Sequence, residues 1–118
     1  MKRIDVADLP KAGPYSHAVV SGGLVFVSGQ IGTLKDRRTS FQEQFENAVS
    51  KIKRILEASG SSIDRVVKVT VYLADAKYFG EMNSLFEKHF GNAPARTTVI
   101  CNLIDPGMLV ELDVVAEV

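Results

Sequence analysis

The segment from Arg65 to Leu73 most constrains how this chain folds, because it is strand-like and apolar on both of its faces. Successive side chains of a strand point to opposite faces of the sheet. The apolar residues Val69, Val71 and Leu73 alternate here with Thr70 and Tyr72. The side chains of Thr70 and Tyr72 are themselves partly apolar. A sheet built around this strand needs other structural elements packed against both of its faces. A subunit interface is the simplest explanation for what packs against the second face.

Two helices are predicted from apolar stripes at three- and four-residue steps. Ser40 and Glu43 fit a capping box at the start of the first helix, and Gly60 fits its stop. Its stripe comprises Phe41, Phe45, Ala48, Val49, Ile52, Ile55 and Leu56. The second helix is predicted from about Lys77 to Phe90, with Gly91 ending it. The helices can form one layer against a sheet.

The remaining segments are strand-like. Gly22-Gly23 predicts a tight hairpin between residues 17–21 and 24–28, and Ser28-Gly29-Gln30 is expected to break its second strand. Arg96 to Leu103 and Leu109 to Val118 flank the turn Asp105-Pro106-Gly107. The order hairpin, helix, strand, helix, hairpin predicts one α+β domain over residues 1–118. Its mixed β-sheet would carry both helices on one face.

Charge and cysteine content restrict the function classes. Fourteen Lys and Arg balance fourteen Asp and Glu in 118 residues, so general attraction to nucleic acid or an anionic membrane is not expected, although a local patch is not excluded. The lone Cys101 cannot form an intrachain disulfide, which suits a reducing compartment. Acids interrupt the first eight residues, and no apolar run is long enough to span a membrane. We expect a cytoplasmic protein.

Arg96 and Glu111 are the residues most suited to chemistry. Arg96 follows Pro94-Ala95 at the start of a strand, where it is either a surface side chain or a two-pronged clamp for a carboxylate. Glu111 interrupts the apolar run Met108 to Leu112, as a solvent-facing residue or as a carboxylate held in a site. Position alone leaves both alternatives open.

Other polar residues point less clearly to a site. Asn83 is either a solvated helix residue or a cleft residue, and Tyr15 is either a packing residue or a phenol presented to a cleft. His17 and His89 lack partners at metal-ligand spacing, so no metal site is predicted. The cluster Lys51, Lys53 and Arg54 is expected to be a solvated helix face rather than an RNA site.

Four motifs resemble the RidA/YjgF reactive-intermediate deaminase family, also labelled endoribonuclease L-PSP. They are Gly13-Pro14-Tyr15-Ser16, Val27-Ser28-Gly29-Gln30-Ile31, Val67-Lys68-Val69-Thr70-Val71-Tyr72-Leu73 and Pro94-Ala95-Arg96-Thr97. They occur in the family's order, with Asn83 and Glu111 in register. The resemblance implies a chorismate-mutase-like fold and a homotrimer with clefts between subunits. It also implies hydrolysis of 2-imino acids, such as 2-iminobutanoate and 2-iminopropanoate, to 2-keto acids and ammonia without a cofactor.

The resemblance also implies roles for individual residues. Arg96 matches the arginine that grips the substrate carboxylate, and Glu111 matches the acid that positions or activates water. Gly29 matches a glycine whose main chain borders the pocket. The residues that match polar side chains lining the cleft are Tyr15, Ser28 and Asn83.

This chain departs from the family pattern at three places. Thr98 stands where many members have Cys. The resemblance implies that this residue contributes mainly its backbone carbonyl, so we expect water binding to survive and thiol-dependent behaviour to be lost. Cys101 cannot replace it, because an offset of three residues places it on the opposite strand face. The segment Gly32 to Ser40 is shorter than usual, and His17 stands where Gln is common.

Two rival functions remain beside the deaminase. One is an endoribonuclease or translation inhibitor of the L-PSP type, which the zero formal charge disfavours. The other is a non-catalytic ligand-binding trimer, which the presence of both Arg96 and Glu111 disfavours.

Overall fold

The computed structural model describes residues 1–118 and contains a six-stranded mixed sheet with two α-helices. The strands are β1 (Lys2–Ile4), β2 (Ala18–Ser21), β3 (Leu24–Ile31), β4 (Val66–Leu73), β5 (Ala95–Ile100) and β6 (Val110–Glu117). The helices are α1 (Phe41–Ala58) and α2 (Phe79–His89), with short 3₁₀ turns at Ile63–Arg65 and Ala76–Tyr78. The predicted α+β fold, with both helices on one sheet face, is confirmed. The predicted final hairpin is wrong, because β4 lies between β5 and β6 and pairs with both.

The sheet order β1-β2-β3-β6-β4-β5 places the last strand in the middle. β6 pairs antiparallel with both β3 and β4, whereas β5 pairs parallel with β4. A parallel pair needs a crossover, which α2 supplies between β4 and β5. The central position of β6 brings its side chains beside those of β3 and β4.

Helix α1 begins and ends as its sequence predicts. The Ser40 side chain accepts a hydrogen bond from the Glu43 backbone N–H at 3.1 Å, while the Glu43 carboxylate pairs with Arg37 instead of closing the capping box. Gly60 follows the helix in the left-handed region, with φ +82°. Helix α2 ends at His89, one residue before the predicted end, with Phe90 as its C-cap and Gly91 directly after it.

Two strand boundaries differ from the prediction. β3 is not broken at Gly29 but continues to Ile31 through a register shift between Val27 and Gln30, because a β-bulge accommodates the irregular residues. β5 ends at Ile100, three residues before the predicted end, and the Cys101 N–H still donates to the Leu73 carbonyl at 2.9 Å before the turn at Asp105. β1 was not predicted; it adds an edge strand to β2.

The two sheet faces have different environments. The face that α1 and α2 cover, here the helix-covered face, carries the alternate buried residues of β4 and β6, such as Val69 and Leu112. No helix covers the opposite face, here the uncovered face, where Phe26 is 46% exposed and Val99 is 38% exposed. One chain therefore covers only one side of its sheet. Neither helix is long and apolar enough to cross a membrane.

Candidate functional site

The strand register places Arg96 and Glu111 on opposite faces of the sheet. Arg96 pairs with the buried Val69, so it lies on the helix-covered face. Glu111 pairs with Tyr72 and lies on the uncovered face. β4 also separates their two strands. The two side chains best suited to chemistry therefore do not meet within one chain.

The Arg96 guanidinium is held by apolar side chains of α2. Its central carbon lies 4.8 Å from the centroid of the Phe86 ring and 5.8 Å from that of Phe79. Its Nη1 lies 3.6 Å from the sulfur of Met82. No carboxylate lies within salt-bridge distance of it. The aromatic contacts orient the planar fork and leave most of its N–H donors without a protein acceptor.

Asn83 and Thr98 lie near Arg96. Asn83 lines the same surface cavity of about 460 Å³ as Arg96. Thr98 follows Arg96 by two residues on the same strand face, and its hydroxyl oxygen is buried without a hydrogen-bond partner. Arg96, Asn83 and Thr98 together form one half of the predicted site, called here the arginine half.

Glu111 packs directly over the bulge in β3. An ideal Cβ built on Gly29 would lie 2.0 Å from Oε2 of Glu111, so the carboxylate occupies the space that any other residue would fill. Burial, with a smaller contribution from the charge of Asp113, raises the pKa of Glu111. The carboxyl group therefore binds a proton more readily than an exposed glutamate.

Asp113 is the other carboxylate near Glu111. The Tyr72 hydroxyl donates a hydrogen bond to Oδ2 of Asp113 at 2.8 Å, and this bond raises the pKa of Tyr72 to about 12. Glu111 has no such bond. Because Asp113 is engaged with Tyr72, Glu111 is the carboxylate left free for a ligand or a water molecule.

Tyr15, Ser28 and Gly29 lie on the Glu111 side of the predicted site. Tyr15 and Gly29 line one surface cavity of about 480 Å³. The Tyr15 hydroxyl accepts a hydrogen bond from the Ala12 N–H at 3.1 Å, and the Ser28 hydroxyl donates to the Ser16 carbonyl at 2.7 Å. These three residues and Glu111 form the glutamate half of the site.

The histidines have structural partners. Buried His17 accepts a hydrogen bond at Nδ1 from the Val6 N–H at 2.9 Å and so anchors the N-terminal segment. His89 Nε2 lies 3.1 Å from a carboxylate oxygen of Glu46 and links α2 to α1. No group of three or more His, Cys, Asp or Glu side chains could hold a metal ion.

Sequence reasoning missed Lys51 and the place of Cys101 beside Glu111. Lys51, expected on a solvated helix face, lines the cavity of Tyr15 and Gly29. Its spacing of three residues from Ala48 in the apolar stripe was the available signal. Cys101 lies opposite to Thr98 as predicted, and this places it beside Glu111 in a cavity of about 180 Å³.

Comparison with known proteins gives consistent results. Residues 6–118 match the family described as Endoribonuclease L-PSP. Protein HMF1 of Saccharomyces cerevisiae is 40% identical over 109 residues, which cover 89% of this chain and 84% of that protein. A RutC family protein of Aquifex aeolicus is 38% identical over 117 residues, which cover 91% of this chain and 94% of that protein. The crystal structure of RidA from the Antarctic bacterium Psychrobacter sp. PAMC 21119 matches with a TM-score of 0.89 and 32% identity, over 100% of both chains.

Proposed function

Because the chain belongs to the RidA/YjgF family, also called the endoribonuclease L-PSP family, we propose that it hydrolyses reactive 2-imino acids. Its substrates would include 2-iminobutanoate and 2-iminopropanoate, or their enamine tautomers, and its products would be 2-keto acids and ammonia. The reaction would need no cofactor, since an imine carbon is already electrophilic and hydrolysis needs only orientation, water and proton transfer.

The unpaired guanidinium of Arg96 is the observation that carries this proposal. A partly buried cation without a carboxylate partner is costly to hold, and here the aromatic rings of Phe79 and Phe86 keep it in place. A planar fork with free donors matches the two oxygens of a carboxylate. Arg96 would therefore bind the carboxylate that every 2-imino acid carries, with Asn83 and Thr98 beside the bound substrate.

Glu111 would supply the proton transfer. Its carboxylate orients a water molecule and takes one proton as the water oxygen bonds to the imine carbon and the C=N electron pair moves to nitrogen. The same proton then passes to nitrogen, which gives a carbinolamine. A second transfer through Glu111 moves the hydroxyl proton to nitrogen as the C–N bond breaks, so that ammonia leaves and the C=O bond forms. A raised pKa makes the carboxylate a stronger base, and this suits the first step near neutral pH. Tyr15, Ser28 and the main chain of Gly29 would border the reacting group.

The two halves of the site require more than one copy of the chain. Arg96 and Glu111 lie on opposite sheet faces, so the arginine half of one subunit would have to meet the glutamate half of its neighbour. The exposed apolar residues Phe26 and Val99 of the uncovered face favour association through this face. We propose a homotrimer whose sheets form a central barrel-like core, with the helices outside and a site between each pair of subunits.

The proposal is tested by measuring the release of keto acid from imines that an amino acid oxidase generates in the assay. The wild-type chain should accelerate the release of keto acid. The same preparation is also incubated with single-stranded RNA, because the family carries the endoribonuclease label as well. RNA cleavage that survives in Arg96→Ala, with no acceleration of imine hydrolysis by the wild type, would replace the deaminase with the nuclease alternative.

A further inference from the structure

Lys51 lines the cavity that contains Tyr15 and Gly29. Its half-buried side chain extends from α1, and its Nζ donates a hydrogen bond to the Ile31 carbonyl at 2.9 Å. An ammonium group has three N–H donors, so one is used by the protein and the others remain for a ligand. Burial lowers the pKa of Lys51, since water solvates the charge less well there.

No carboxylate neutralises Lys51. Three acids of neighbouring segments are each paired with another cation: Glu43 with Arg37, Asp8 with Arg54 and Asp5 with Lys11. The other charged groups lining the cavity are Lys11, Lys35 and Asp105. Lys11 is already paired, and Lys35 and Asp105 have opposite charges. The cavity therefore has an excess of about one positive charge, which Lys51 contributes.

We propose that Lys51 binds a second carboxylate on the substrate, so that this enzyme favours 2-imino acids with an acidic side chain. The inference rests on the proposed function, because Gly29 and Tyr15 of the same cavity border the reacting group there. A single uncompensated cation suits a carboxylate, which carries one negative charge.

The dimensions of the cavity are compatible with this substrate class. Gly29 and Ile31 are separated by two residues of extended chain, which span about 7 Å. Lys51 is hydrogen-bonded to the Ile31 carbonyl, so its Nζ lies at the far end of this short span. In a five-carbon 2-imino acid, the reach from the imine carbon to the far carboxylate, together with one hydrogen bond from that carboxylate to Nζ, is similar to this span. One carboxylate can then reach Lys51 while the imine remains beside Gly29.

The test compares two imines, 2-iminoglutarate and 2-iminobutanoate, in the wild type and in three variants. Lys51→Gln removes the charge and keeps a donor for Ile31, whereas Lys51→Arg keeps the charge. Lys53→Gln is the matched control, because Lys53 is exposed on the same helix and lines none of the cavities described. Thermal unfolding of each variant checks that it is folded.

We expect the ratio of kcat/KM for 2-iminoglutarate to that for 2-iminobutanoate to fall by about tenfold or more in Lys51→Gln. Lys51→Arg should retain most of the ratio, and Lys53→Gln all of it. Calorimetric binding of 2-oxoglutarate and 2-oxobutanoate should show the same pattern without any turnover. An unchanged ratio in Lys51→Gln, with both imines hydrolysed, would overturn the role of Lys51 but not the deaminase. Lys51-dependent binding of 2-oxoglutarate without hydrolysis of either imine would support the anion site and overturn the proposed activity.

Discussion

The carboxylate of Glu111 occupies the position that a β-carbon on residue 29 would need, with Oε2 only 2.0 Å from that position. Gly29 lies in the β-bulge of β3, and Glu111 lies on the neighbouring central strand β6. The absence of a side chain at residue 29 therefore determines where the carboxylate can lie. The position of the Glu111 carboxylate therefore depends on the glycine in the bulge.

Gly29→Ala should lower imine hydrolysis by about 100-fold, because a displacement of about 1 Å in a catalytic group has that effect. Stability should change little, since the end of a flexible Glu side chain can move aside. Gly80→Ala is the control: nothing lies within 4 Å of the added carbon, and the helix should gain about 0.5–1 kcal/mol. Keto acid release and urea unfolding measure the two effects. Normal turnover in Gly29→Ala would show that the position of Glu111 is not critical.

Arg96→Ala should abolish imine hydrolysis while the fold is retained, because no other cation replaces the clamp between Phe79 and Phe86. Arg96→Lys should also be poor, since an ammonium group cannot reproduce two parallel hydrogen bonds to a carboxylate. Steady-state release of keto acid is the measurement, with circular dichroism as the check on folding. Near-normal release by Arg96→Ala would contradict the carboxylate clamp.

Glu111→Gln should lower turnover by about 10²–10⁴-fold, because it keeps the shape of the side chain and removes the proton acceptor. Thr98→Ala should have a much smaller effect on turnover and on stability. The Thr98 hydroxyl is buried without a partner, so its removal breaks no hydrogen bond. If Thr98→Ala is as damaging as Glu111→Gln, the hydroxyl itself takes part in the reaction.

Mixing two inactive variants tests whether the site lies between subunits. Arg96→Ala and Glu111→Gln, unfolded together and refolded at equal concentrations, should recover activity at roughly a quarter of the sites in randomly mixed trimers. At those sites one subunit supplies Arg96 and its neighbour supplies Glu111. Each variant refolded alone is the control. No recovery, in mixtures that native mass spectrometry shows to be mixed oligomers, would place both residues in one subunit and contradict the arrangement proposed above.

Gln44→Met should destabilise the fold by about 2–4 kcal/mol, because it leaves three backbone groups without partners. The buried Gln44 side chain donates to the carbonyls of Thr39 and Gly107 and accepts from the Leu109 N–H at 2.9 Å. It thereby joins α1 to the start of β6, where Glu111 lies. Gln42→Met is the matched control on the exposed face of the helix and should change stability by less than about 0.5 kcal/mol. Urea unfolding of both variants measures the difference.

The sequence alone determined the elements whose signals are local. The stripe of α1, the Ser40 cap and the Gly22-Gly23 hairpin depend on residues a few positions apart, and each lies where it was predicted. In β4, the predicted alternation of Val69, Val71 and Leu73 with Thr70 and Tyr72 corresponds to alternately buried and partly buried residues. The end of β5, the bulge at Gly29 and strand β1 depend on pairing with distant segments, so local patterns did not specify them.

Only the tertiary structure decided how the candidate site residues are divided between the two faces of the sheet. The sequence singled out Arg96 and Glu111 as a pair, but it could not show that they occupy opposite faces of one sheet. That separation follows from the insertion of β6 between β3 and β4, and from the register that pairs Arg96 with Val69 and Glu111 with Tyr72. Strand order and register arise from packing of the whole chain. A shift of one residue would move each side chain to the other face.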